Sequence, residues 1–303
     1  MAFPRTKLAR REAFEGYIFL LPWLVGFLAF HLGPLLASLY LGFTNYRGST
    51  SPQWIGFENF QRMFTDDPLF WQSFKVTVLY AIGFLPLGLV FGFGIAMLMN
   101  QKVPGITLFR TIYYLPSVMT GVAVAVLWQF VFHREYGVLN SLIGLFGAEP
   151  IAWLNHSTWV LVAFIIMGLW GVGGSMIIYL AGLQSIPTEL YEAADIDGAS
   201  GWRRFWAITI PLMTPTLFFN IVTGLIATFQ IFTTAYIMTQ GGPNYGTYFF
   251  SLNIYYTTFR SLRLGYASAL AWVLFLVIML LTALVFSSAR RWVYYAGEKA
   301  ETA

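Results

Sequence analysis
The sequence predicts an all-α membrane protein with six transmembrane helices and both termini cytoplasmic. Three observations carry that reading. Of its 303 residues, 58% are hydrophobic and only 10% charged, where a soluble domain carries about 25%. No water-soluble core hides that much apolar surface, so the bilayer is the solvent. Long windows free of Asp, Glu, Lys and Arg recur, each exceeding the roughly 20 residues a helix needs to cross ~30 Å of hydrocarbon. These windows lack the strict alternation over about ten residues of a barrel strand.

The first charge-free run, Gly16 to Tyr46, follows Arg5, Lys7, Arg10 and Arg11. It is too long for a signal-peptide core, so a retained first span at about 17–43 is expected. A turn-rich connector from Arg47 to Lys75 contains Trp54-Ile55-Gly56-Phe57-Glu58-Asn59-Phe60. Lys75 and Lys102 bound a second span at about 76–99. Arg110 and the His133-Arg134-Glu135 cluster bound a third at about 111–132, and a connector then runs to about His156. The fourth, about 158–183, holds Gly168, Gly171, Gly173 and Gly174, small residues that let helices approach closely. The fifth is expected at about 206–237 and the sixth at about 265–288, stopped by Arg290-Arg291.

Orientation follows from the basic residues. Eleven Lys and Arg fall on the face with the termini and even-numbered connectors: Arg5, Lys7, Arg10, Arg11, Lys102, Arg110, Arg203, Arg204, Arg290, Arg291 and Lys299. Five fall on the other: Arg47, Arg62, Arg134, Arg260 and Arg263, with Lys75 at a boundary. The richer face is cytoplasmic.

Between spans four and five lies a polar stretch, Pro187 to Pro215, with Glu189, Glu192, Asp195, Asp197, Arg203 and Arg204. It stands alone: no charge occurs in the 39 residues from Pro150 to Thr188 or in the 55 from Phe205 to Phe259. Pro187 suits a first helical position and Gly198 the residue past a helix end, which predicts about 11 residues of helix between them, roughly 16 Å long. A second helix is expected to restart at Gly201-Trp202 and run into Phe205–Ile210. Pro211 and Pro215 either kink the fifth span or shape its entry. Arg203 and Arg204 suit either a protein partner or anionic lipid headgroups.

Glu192-Ala193-Ala194, then Asp197-Gly198-Ala199, then Ile208 and Pro211 resemble the cytoplasmic EAA loop of binding-protein-dependent ABC importer permeases. The spacing carries the resemblance: glycine six residues after the glutamate, then Ile-x-x-Pro starting ten beyond the glycine. Outside the loop, Trp54 to Phe60, Tyr113-Tyr114-Leu115-Pro116, Thr239-Gln240-Gly241-Gly242-Pro243 and Gly265-Tyr266-Ala267-Ser268-Ala269 are similar to stretches of carbohydrate-uptake permeases. The resemblance implies a single transmembrane permease domain over 1–303 with the type I ABC importer permease fold and a coupling loop at 187–204. It implies four kinds of partner: a second related permease forming a heterodimer, an ABC ATPase dimer, an extracytoplasmic solute-binding protein and the sugar itself. Glu189, Glu192, Ala193, Ala194, Asp197, Gly198, Ala199 and Pro211 would then form the ATPase-coupling set. The maltose-, lactose- and glycerol-3-phosphate-type systems are the nearest group. No large inserted outside domain is present, which sets the chain apart from some maltose-type subunits.

No lysine sits in a G-x-x-x-x-G-K-[ST] loop, and neither H-E-x-x-H nor G-x-S-x-G occurs, so no nucleotide-, zinc- or serine-based catalysis is legible. The chain is read as a non-enzyme without cofactor or metal, ATP and Mg being held by the partner ATPase. There is no cysteine, and the three histidines His31, His133 and His156 lack ligand spacing. No basic run points to nucleic acid; membrane lipids are the expected surroundings, in a bacterial or archaeal plasma (inner) membrane. Two other readings compete, a membrane-embedded enzyme and a secondary transporter or channel. The predicted spans contain no Asp, Glu, Lys or Arg, only His31, and ion-coupled carriers keep ionisable groups there. His31 is either a proton relay or a packing residue.

The fifth span carries a polar stripe. Asn220, Thr223, Ala227, Gln230 and Thr234 fall within about 80° at 100° per residue. Such a stripe faces protein or a water-filled cavity; it either lines a solute pathway or glues the helix to a neighbour. Thr228 lies close to it, and Gly171, Gly174, Ser175 and Tyr179 are expected to supply a facing wall. Uncharged spans suit a neutral mono- or oligosaccharide better than a phosphorylated solute, which calls for a cation or helix N-terminus.

Overall fold
The computed structural model describes residues 6–49 and 51–294. They form helices joined by loops, and fall into two units. Among the described residues, one comprises 6–66 with Ile254–Val273, the other Asp67–Asn253 with 274–294. Arg5 and Lys299, both counted in the orientation argument, lie outside the described residues.

In the first unit α1 (Lys7–Phe27) passes through a π-turn, Leu28–Leu32, into α2 (Gly33–Gly42). Gly33 donates its N–H to Leu28 O, five residues back. Pro34, one residue on, lacks an N–H and crowds the carbonyl four residues before it, so the wider turn accommodates it. Beyond α2 the chain doubles back: Thr44 and Trp54 form an isolated antiparallel bridge, and Trp54 stacks on Phe43 with ring centres 5.3 Å apart. Asn59, on α3 (Glu58–Thr65), is buried and donates to Gly42 O at 2.8 Å and Thr44 O at 2.9 Å. The Trp54–Phe60 stretch is thus a corner that ties itself to the end of α2. Gly265 N donates to Tyr46 O at 2.9 Å and Trp272 Nε1 to Ser38 Oγ at 3.1 Å.

The second unit is organised around α4 (Pro68–Met99). Asp67 caps it, its side chain accepting from Leu69 N at 2.9 Å, and Pro68 takes the first position, where a missing N–H costs nothing. At the far end Arg110 donates from Nε and Nη2 to Met99 O at 3.1 and 2.7 Å, closing a helix terminus with a cation. Against α4 pack α8 (Trp159–Trp170), α9 (Gly173–Gln184) and α12 (Ile210–Phe229). Phe93, Ala96, Met176, Tyr179, Leu183 and Met213 make a buried apolar cluster there. The elements α5 (Ile106–Val118), α6 (Gly121–Val131) and α7 (Val138–Gly144) precede α8. Between α9 and α12 stand α10 (Thr188–Ile196) and α11 (Gly201–Arg204), and α13 (Thr233–Met238) follows α12. Finally α14 (Phe250–Phe259) and α15 (Leu264–Trp292) each have residues in both units.

Four helical stretches are long and apolar enough to cross a membrane by themselves: Arg10–Gly42, Pro68–Met99, Gly201–Met238 and Leu264–Trp292. Two bent pairs bring the number to six if each counts as one span. The bent pairs fall where the third and fourth spans are expected, at about 111–132 and 158–183. The third breaks at Met119-Thr120, where α5 and α6 meet at 102°. Pro116 weakens the last turn of α5, and the extended Thr120 starts α6 by accepting from Ala123 N at 3.5 Å. The fourth bends by 45° between Trp170 and Gly173. The second helix also begins at Pro68, well before the expected 76, so Lys75 lies inside it on an exposed face.

Candidate functional sites
Helix α10 runs for 9 residues, Thr188–Ile196, somewhat shorter than the spacing predicts, with Pro187 one position before the helix. Its end is closed by two backbone bonds, Gly198 N to Asp195 O at 3.1 Å and Ala199 N to Ala194 O at 2.9 Å. That is a Schellman motif, and it requires the left-handed conformation that Gly198 adopts, φ +70°. Ser200 then caps α11, its hydroxyl accepting from Arg203 N at 3.3 Å. Helix α11 continues through a second π-turn, Phe205–Thr209, into α12. Pro211 stands two residues beyond it, as Pro34 does in the first unit, so Pro211 shapes the helix entry.

Two side-chain contacts tie α10 to the segment that enters α12. Tyr191 Oη and Thr209 Oγ1 are 2.9 Å apart, and Arg204 pairs with Asp195. Tyr191 and Ile208 also pack against the apolar cluster of α4, α9 and α12. Glu189, Glu192, Ala193, Asp197 and Gly198 face outwards. So does Ile196, 88% exposed. A recess of about 440 Å³ beside them is lined by Ala194, Asp197, Ala199, Arg203, Arg204 and Ile208. The short helix, held at its base, thus presents its carboxylates and an uncovered isoleucine outwards.

The second site is a recess of about 290 Å³ between α4, α8, α9 and α12. Of the sequence-predicted residues, Gly171, Ser175, Tyr179, Asn220, Thr223 and Ala227 line it. Tyr179 is fully buried, and its hydroxyl has no hydrogen-bond partner among the described residues. The other polar groups are held within their own helices. Ser175 Oγ donates to Val172 O at 2.8 Å, Asn220 Nδ2 to Thr216 O at 2.9 Å and Thr223 Oγ1 to Phe219 O at 2.9 Å. None of these bonds joins two helices.

Four predicted lining residues stand elsewhere. Gly174 sits against Ser117 of α5. Thr228 is buried, its hydroxyl donating to Gly224 O at 2.6 Å. Gln230 is past the end of α12 and exposed, and Thr234 belongs to the separate α13. The angular argument assumed an unbroken helix, and the helix stops at Phe229. Missed altogether was the wall from α4, Phe84, Leu85, Gly88 and Leu89; the only signal for it was the small-residue spacing of Gly88 and Gly92. Among the described residues no group of three or more His, Cys, Asp or Glu is placed to hold a metal ion.

Known proteins resemble this chain over most of its length. Residues 85–294 match the family model described as the binding-protein-dependent transport system inner membrane component. The chain is 41% identical over 302 residues to the probable ABC transporter permease protein YesP of Bacillus subtilis, covering 98% of this chain and 97% of that one. It is 37% identical over 293 residues to the lactose transport system permease protein LacF of Rhizobium radiobacter, covering 94% and 97%. Among solved structures it resembles a chain of a bacterial ABC transporter involved in import of the acidic polysaccharide alginate, with a TM-score of 0.83 and 26% identity, covering 93% and 96%. A bacterial alginate ABC transporter in complex with an alginate pentasaccharide-bound periplasmic protein gives 0.84 and 25%, covering 95% and 98%. Almost full-length matches of this kind, over a multi-pass helical chain, settle the family: this chain is a permease belonging to the binding-protein-dependent transport system inner membrane components.

Proposed function
We propose that the chain is the membrane-spanning permease subunit of an ATP-driven sugar importer, forming half of a translocation pathway and taking its force through residues 187–204. The observation that carries this is the likeness over nearly the whole length to permeases named for sugar systems, LacF of Rhizobium radiobacter and the trehalose/maltose permease MalF of Thermococcus litoralis among them. The solute is a neutral mono- or oligosaccharide, a reading supported by the absence of any charged residue from the mainly apolar lining of the recess between α4, α8, α9 and α12, where Ser175, Asn220 and Thr223 are the polar groups beside Tyr179. Amides and hydroxyls, here those of Asn220, Thr223 and Ser175, exchange hydrogen bonds with sugar hydroxyls. A second permease completes the pathway, an ATPase pair carrying ATP and Mg grips α10, and a solute-binding protein delivers the sugar from outside. The Lys and Arg count supports the reading that both termini and α10 lie on the cytoplasmic side of a bacterial or archaeal inner membrane.

The test is uptake-coupled ATP hydrolysis. The chain is co-expressed with its genomic neighbours, reconstituted, and sugars are screened with the purified binding protein. One sugar should stimulate hydrolysis, and Gly198→Asp should abolish the stimulation. If no complex forms and this chain alone moves solute down an ion gradient, it is a secondary transporter instead.

A further inference from the structure
One recess in the first unit has no part in the pathway or in the ATPase grip. It measures about 520 Å³ and is lined by Arg47, Arg62 and Arg263 together with Glu58, Asp66 and Tyr266. The five charged residues are exposed, and none of them takes part in an ion pair among the described residues. Arg62 stands over the Tyr266 ring at 6.0 Å. The walls are fixed by the buried Asn59, with its two bonds to the end of α2, and by the Gly265–Tyr46 bond. Five arginines fall on the extracytoplasmic side of the topology, against the usual bias, and three of them gather here. Of the other two, Arg260 is already placed on the Tyr256 ring at 3.9 Å.

Unpaired charges on a rigid frame steer and orient a partner. The excess of arginine selects carboxylates, which a guanidinium takes in a two-pronged grip. Glu58 and Asp66 in the same recess repel a lipid phosphate, and anionic lipid is chiefly a feature of the cytoplasmic leaflet. Both signs side by side suit a protein surface. We propose that this recess is a docking point for the extracytoplasmic solute-binding protein, receiving its acidic side chains on Arg47, Arg62 and Arg263 and a basic one on Glu58 or Asp66. The inference rests on the importer reading, and a structural relative was solved in complex with a periplasmic protein.

The experiment uses the whole complex in phosphatidylcholine nanodiscs and titrates sugar-loaded binding protein against ATP hydrolysis. The triple variant Arg47→Glu, Arg62→Glu, Arg263→Glu should raise the half-saturating concentration on the order of tenfold and flatten its salt dependence. Basal hydrolysis and the stimulated maximum should not move. Changing the same three residues to Lys keeps the charge but loses the two-pronged grip, so its shift should be clearly smaller than that of the Glu variant with the salt dependence retained, and Arg134→Glu should titrate like the parent. A triple-Glu variant that titrates like the parent overturns the proposal. So does an equal loss in the Lys variant, which would mark a packing defect, or a shift seen only after adding phosphatidylglycerol, which would mark a lipid site. A parent complex that the binding protein never stimulates defeats the importer reading as well, so the two failures are separable.

Discussion
Asp197, Gly198, Ala199 and Ser200 end one helix and start the next within four residues. Gly198 is the pivot, because its φ of +70° costs a residue with a Cβ roughly 1–2 kcal/mol, and Asn least of the alternatives. Nothing lies within 4 Å of the position a Cβ would take, so the strain is conformational and not steric. Gly198→Val should therefore disrupt the turn and lose ATPase co-purification, while Gly198→Asn should keep more than about half of it. Equal loss in both variants would mean that the partner's surface, rather than the backbone angle, demands glycine. Local features such as this were legible in the sequence, since the residue identity itself encodes the dihedral. Asn59 was not legible as a tie, although its motif was: its acceptors are main-chain carbonyls 15 and 17 positions away, and any sequence offers those.

At the scale of elements, hydropathy located the helices and missed their breaks. A window average cannot see a 102° bend between Val118 and Gly121, because both halves are apolar and the cause is one proline and one cap. The stripe on α12 failed at Gln230 for the same reason: periodicity assumes a helix that continues. In the proposed mechanism, the connection between α10 and α12 acts as a lever. Tyr191–Thr209 contributes about 1 kcal/mol. The Arg204–Asp195 pair contributes less, since Asp195 is 60% exposed and solvent screens it. Tyr191 and Ile208 also pack on the apolar cluster, a contact that the loss of either bond leaves in place. The double variant Tyr191→Phe, Arg204→Ala should assemble and hydrolyse ATP while moving several-fold less sugar per ATP, measured as the ratio of uptake to phosphate release. An unchanged ratio would show that packing alone stiffens the lever.

For the whole molecule, composition identified the bilayer as solvent and the basic residues propose a direction across it, and the bent α5–α6 pair is where those two arguments meet. If the pair crosses, Lys102 and Arg110 lie inside and Arg134 outside, and α10 returns to the cytoplasm with Arg203 and Arg204. If it turns back instead, Arg134 joins the inner face and everything after it inverts. The coupling segment would then be outside, together with Arg290 and Arg291, against the charge bias and out of reach of any ATPase. Inversion would also leave the three carboxylates of α10, and Asp197 just past its end, with no nucleotide-driven partner to grip them. The crossing arrangement is therefore the one in which charge, motif and fold agree. Alkaline phosphatase fused after Arg134 or after Arg260 should be active, and a fluorescent protein at the same points dark. Fusions after Lys102 and after Ser200 should give the opposite pattern, with signal ratios differing by on the order of tenfold. A fluorescent fusion at Arg134 would remove α5 and α6 from the count of spans, and with them the cytoplasmic position of Gly198 on which the importer mechanism depends.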